Sequence, residues 1–119
     1  MKIKIKDKEL TLHYTIRMMI LFENITGENV NFENLKSTKQ LTTLLLACIL
    51  ASAQKEKIDL QLTYDEFIDF LDDNGQYEIL ADFYLWLMET ATKEYSLRAA
   101  EKEEENKEEE NEEEKKAQD

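Results

Sequence analysis

The stretch LTTLLLACILASA, Leu41–Ala53, is the longest apolar run in the chain, and the fold depends on how it is read. Only Thr42, Thr43 and Ser52 interrupt it, and none of these is charged. A helix on a protein surface keeps one polar face. This stretch barely has one, so it is expected to be a central helix packed on most sides. Thirteen helical residues rise about 20 Å, short of the roughly 30 Å of a bilayer's hydrocarbon core. Lys36 and Lys39 before the run, and Lys55 and Lys57 after it, prevent any extension. The run therefore reads as the core of a globular domain, with no membrane span.

Outward from this helix, the chain needs elements to cover it. On the N-terminal side, Ile3, Ile5, Leu10, Leu12 and Tyr14 alternate with Lys2, Lys4, Lys6, Glu9, Thr11 and His13. Period two puts one face in and one face out, which predicts two short strands joined at Lys6-Asp7-Lys8. The turn carries neither Asn-Gly nor Gly-Gly, so its type stays open. From Thr15 the period changes. Ile16, Met18, Met19, Ile20, Leu21, Phe22 and Ile25 predict a mostly apolar helix, capped by Thr15 and stopped by Gly27. Residues 28–37 read as a loop or short helical turn that tucks Phe32 and Leu35 onto the core. Ser37 or Thr38 then caps the central helix, which runs to about Gln54 or Lys57.

On the C-terminal side, Thr63-Tyr64-Asp65-Glu66 has the spacing of a capping box, in which Thr63 and Glu66 satisfy each other's backbone amides. The helix it opens carries Phe67, Ile68, Phe70 and Leu71 and stops at Asp73-Asn74-Gly75. A last helix shows Leu80, Phe83, Tyr84, Leu87, Met88 and Ala91 at helical spacing. The fold class expected is α+β and mostly helical: an N-terminal β-hairpin on about four helices, as one domain over residues 1–95. Residues 96–119 form an acidic low-complexity tail. Glu and Lys favour helix, so the last helix can run on into it. With only Ala117 apolar after residue 100, the tail is expected to fray into solvent.

Charge narrows the function. The net charge is −12. Residues 1–95 hold ten basic and sixteen acidic side chains, and residues 96–119 hold five and eleven. Nucleic acids and anionic membrane surfaces both call for clustered Lys and Arg, so neither is an expected partner. The single cysteine, Cys48, lies in the apolar run, where it is expected to act as a small buried hydrophobe. The N-terminus MKIKIKDKEL has no continuous apolar stretch of the kind that directs secretion, so a reducing, cytoplasmic setting is expected.

The chemistry of sites is sparse. Asp69–Gly75 invites a calcium reading, but with Gly75 at position six of an EF-hand loop, Phe70 and Ala81 fall where carboxylates are required. Asn74-Gly75 then simply ends one helix and helps start the next. His13, the only histidine, is expected on the polar face of a strand, exposed to solvent. Arg17 reads as a first-turn residue with its stem against the core. There is no Gly-rich phosphate loop, nucleophile elbow or triad, so no catalytic residue and no cofactor is expected.

The remaining signal is apolar surface. Trp86 falls off the inward stripe of the last helix, and Leu85 and Met88 share that ambiguity. Off-stripe tryptophan marks either a second packing face or an interaction hot spot. Apolar residues on two faces of one helix in so small a domain suggest contact with a partner or another copy. Phe32, Ile79, Leu85 and Trp86 are the candidate partner-binding residues.

The order of features is also informative. A hairpin leads into a helix ending FENITGENV. Then come a polar link, LTTLLLACILASA, LTYDEFIDFLDDNG and a terminal amphipathic helix. Over residues 3–95 this resembles the tail assembly chaperones of long-tailed bacteriophages and prophages. The nearest matches are Glu23-Asn24-Ile25-Thr26-Gly27 and Leu62-Thr63-Tyr64-Asp65-Glu66-Phe67. The resemblance implies a non-enzymatic factor that binds the long helical tape measure protein until tail tube protein polymerises around it, and that is absent from the finished virion. It also implies, in many members, a second, longer product made by frameshifting. Here Glu114-Lys115-Lys116 is where a slippery stretch could encode it. The competing class is a small acidic helical adaptor or regulator, which could form a homo-oligomer through the Trp86 face.

Overall fold

The computed structural model describes the backbone of residues 1–35 and 37–117, and the side chains of these except 34, 76, 98, 103 and 105–117. The expectations attached to Lys36, Glu114, Lys115 and Lys116 lie outside the described side chains. By internal contacts the chain divides into two units, Met1–Leu87 and Met88–Asp119.

The first unit has the expected α+β order. Strands β1 (Lys2–Ile5) and β2 (Lys8–Thr11) pair antiparallel, with Ile3 opposite Leu10 and Ile5 opposite Lys8. Ile3, Ile5, Leu10 and Leu12 are buried, as period two requires. The strands are shorter than the alternation suggested, because β2 ends at Thr11, although Leu12 N–H still donates to the Met1 carbonyl at 2.8 Å. Lys8 belongs to β2, which leaves a two-residue turn. Lys6 and Asp7 both take positive φ, 49° and 63°, the backbone of a type I′ hairpin turn. Neither is the glycine or asparagine that such a turn favours. Contacts outside the hairpin hold it: Lys6 Nζ donates to the Gln61 carbonyl at 2.7 Å and pairs with Glu66, and Lys8 Nζ donates to the Asp59 carbonyl.

Helix α1 (Ile16–Thr26) starts at Thr15, whose Oγ1 accepts from Met18 N–H at 3.2 Å. It stops at Gly27, which at φ 73° sits in the left-handed region that a Cβ disfavours. Its amide donates to the Glu23 carbonyl at 2.7 Å. A single 3-10 turn, Phe32–Asn34, follows, and Leu35 beyond it is buried.

Helix α2 (Thr38–Lys55) is the centre of the fold. Every residue from Thr42 to Ile49 is buried, as are Ala51, Ser52 and Ala53. Both α1 and β2 pack directly on it. Its buried hydroxyls are satisfied, as the interior demands. Thr43 Oγ1 donates to the Lys39 carbonyl at 2.7 Å, and Ser52 Oγ accepts from His13 N–H at 2.9 Å. No helix among the described residues is long and apolar enough to cross a membrane.

Helix α3 (Tyr64–Asp73) opens on the capping box read from sequence: Glu66 N–H donates to Thr63 Oγ1 at 3.2 Å, and Thr63 N–H donates to Glu66 Oε1 at 3.1 Å. Asn74 closes it, its side-chain amide donating to the Phe70 carbonyl at 2.8 Å. Gly75, at φ 73°, turns the chain, and its carbonyl accepts from Glu78 N–H to begin α4 (Gln76–Ala117). Phe67 and Leu71 of α3, and Leu80, Phe83 and Leu87 of α4, complete the core.

In the second unit, the α4 backbone stays helical through Ala117, so the acidic tail begins as the helix extension that its Glu and Lys content favours. Its residues 92–97 are exposed, Tyr95 and Leu97 among them. Thr92 Oγ1 donates back to the Met88 carbonyl at 2.7 Å.

Candidate interaction surface

The four candidate residues fall at two levels of exposure. Phe32 is half-buried at the start of the 3-10 turn. Ile79 and Trp86 are half-buried on α4, while Leu85 is 61% exposed. The helical repeat accounts for the last three. Leu80, Phe83 and Leu87 define the inward side of α4, and Leu85 is turned away from all of them. Ile79 and Trp86, seven residues apart, lie along one flank. The Trp86 ring stacks on Phe83, with centroids 5.9 Å apart and planes at 28°. Part of the indole is thereby fixed against a fully buried phenyl ring, which leaves its remaining edge on the surface in a defined orientation. Phe70, an aromatic that could have met Trp86, stacks instead on Phe67 at 6.3 Å.

Further exposed apolar side chains lie on α1. Ile16 is 72% exposed and Ile20 is 50% exposed, while Met18 and Phe22 point into the core. A mostly apolar helix, as α1 is, does not reveal which of its apolar residues will face solvent. The available signal was that Ile16 and Ile20 are four apart, on a face shared with Glu23 rather than with Met18 and Phe22. A cleft of about 480 Å³ lies between the end of α1, the start of α2 and the start of α3. Ile25, Thr26, Glu28, Lys39, Gln40 and Tyr64 contribute to its walls. None of these reads from sequence as part of a surface site, because they come together only in three dimensions.

The titratable groups serve the fold. His13 was expected on an exposed strand face. It lies instead beyond the end of β2, half-buried, with Nε2 2.9 Å from Glu56 Oε1. Glu56 is 43 residues away in the chain, so strand periodicity carried no sign of it. Arg17 is exposed and donates to Gln54 Oε1 at 2.6 Å. Together with Ser52, these contacts fasten residues 13–17 to the last turn of α2. Cys48 is buried, and desolvation pushes its thiol up to about 12, with its Sγ 3.5 Å from the His13 carbonyl. A thiol so placed stays protonated and inert at neutral pH. The Glu66 carboxyl is held below the usual carboxylate range, first by Lys6 and then by hydrogen bonds with Thr63. Among the described residues, no group of three or more His, Cys, Asp or Glu is placed to hold a metal ion. Asp72 and Asp73 are exposed at the end of α3.

The feature the geometry defines is therefore a closed apolar core whose helices α1 and α4 also carry apolar side chains outward. No family model, curated protein or solved structure matches the chain.

Proposed function

We propose that this protein is a non-enzymatic chaperone of phage tail assembly, which binds an apolar helical segment of the tape measure protein and releases it as tail tube protein assembles. One observation supports the reading most strongly. On α4, Leu85 is 61% exposed and Trp86 is half-exposed, although the same helix has already buried Leu80, Phe83 and Leu87 in the core. Packing within the domain accounts for only one of the two apolar faces. A helical client offers the matching surface, and Ile79 and Trp86, seven residues apart, have the spacing of helix-docking anchors. Aromatic anchors fixed by packing behind them are the usual source of binding energy at such contacts. The net charge of −12 keeps a particle with exposed apolar side chains dispersed.

Co-expression with the tape measure protein that this reading requires to be encoded nearby tests the proposal. The tape measure protein should move from the insoluble to the soluble fraction and co-purify with this chain. If it is equally insoluble with and without the chain, the reading fails.

A further inference from the structure

On α4 the apolar anchors Ile79, Leu85 and Trp86 are bordered by Glu78 and Asp82, and the first Lys of the helix is Lys93, seven residues beyond Trp86. Glu78, Asp82 and Leu85, at i, i+4 and i+7, share the outward face. Asp82 also lies three residues after Ile79 and four before Trp86, so its carboxylate stands between them. Glu78 and Asp82 are both exposed, and neither forms an ion pair among the described residues. From Gln76 to Thr92 the helix contains no Lys or Arg to offset them. Two other carboxylates do have partners: Glu66 is paired with Lys6, and Glu56 with His13.

On the reading above, in which this face receives a helix, we infer that its partner segment is an amphipathic helix whose apolar stripe is bordered by Lys or Arg. The argument is charge complementarity. An apolar contact leaves Glu78 and Asp82 at its rim, where an opposing cation is favourable and an opposing carboxylate is repelled. A second copy of this chain would bring the same acidic rim against itself, at a net charge of −12 per copy, and is disfavoured for that reason. The two-turn reach from Ile79 to Trp86, about 10 Å along the axis, suits a client stripe of the same length.

The test uses the full-length protein and three synthetic helical peptides. One has a Leu stripe edged with Lys, one has the same stripe edged with Glu, and one has the Lys residues but Ala in place of the stripe. Emission from Trp86, the only tryptophan, reports contact with the face. The Lys-edged Leu peptide should shift that emission and bind about tenfold tighter than the Glu-edged one. In the double variant Glu78→Lys/Asp82→Lys the order of the two should reverse. Equal affinity for both peptides would overturn the inference. So would a preference unchanged by the double variant, which would place the charge selection on the Glu-rich tail. An equal emission shift with the Ala peptide, or self-association that no peptide displaces, would also overturn it. The chaperone reading is judged separately. If wild-type protein leaves the tape measure protein insoluble, that reading fails. If the double variant solubilises it as well as wild type does, only the charge inference fails.

Discussion

Ser52 Oγ accepts the backbone N–H of His13 at 2.9 Å, joining the core of α2 to the point where the hairpin releases the chain, 39 residues earlier. Ser52 is fully buried. The apolar run thus keeps a hydroxyl where the chain leaving β2 brings a backbone amide against the core. Ser52→Ala removes the acceptor and leaves that amide without a partner. The expected cost is about 1–3 kcal/mol, read as a lower urea midpoint with an unchanged slope. An unchanged midpoint would mean that water replaces the hydroxyl.

The ion pair between Lys6 and Glu66 makes stability depend on acid. Glu66 has its folded pKa lowered, chiefly by Lys6. Its contribution is therefore fully present above the ordinary carboxylate value of 4.5 and is lost as pH falls through the lower folded value. Thermal melts between neutral pH and about pH 3 should show wild type losing stability below that point, and Glu66→Gln losing less. Parallel profiles for the two proteins would remove Glu66 from the account.

Thr63 carries the other half of the same arrangement. Thr63→Ala should cost about 1 kcal/mol, the usual worth of an N-cap hydroxyl, because Glu66 N–H loses its acceptor. Thr63→Ser should restore most of it. If serine fails to rescue, the threonine methyl rather than its hydroxyl holds the start of α3.

Cys48 should report on opening of the core. Buried, and with its thiol raised to about 12, it should react with a thiol reagent at pH 8 at least about a hundredfold more slowly in the native protein than in urea. Labelling of the native protein at the unfolded rate would show that α2 is not enclosed.

How much of this was legible in the sequence depended on how local the cause was. Leu41–Ala53 announced a buried helix because its own composition left it no polar face. The Thr63–Glu66 box and the Gly27 stop were legible because cap and partner lie within four residues. The hairpin turn was not, since Lys6 and Asp7 hold positive φ with help from Asp59, Gln61 and Glu66, more than fifty residues on. His13 was misplaced for the same reason. Its partner Glu56 is near only after α2 has folded beside the hairpin. For the candidate surface, the outward turn of Leu85 followed from its angle to Leu80, Phe83 and Leu87. The exposure of Ile16 and Ile20 did not, because α1 is apolar on nearly every side.

Adjacent leucines separate fold from surface. Leu87 is fully buried, and Leu87→Ala should cost about 2–5 kcal/mol. Leu85 is exposed, and Leu85→Lys should change stability by no more than about 0.5 kcal/mol. Comparable losses from both would mean that Leu85 belongs to the core after all.

That contrast sets up the most direct measurement of the central claim. The tape measure protein is co-expressed with wild-type chain or with Leu85→Lys, and the soluble complex is quantified after affinity capture. The account predicts a stoichiometric complex with wild type and its loss with Leu85→Lys, although that variant melts like wild type. Equal recovery with both proteins would contradict the assignment of this face, and no complex with either would contradict the chaperone itself.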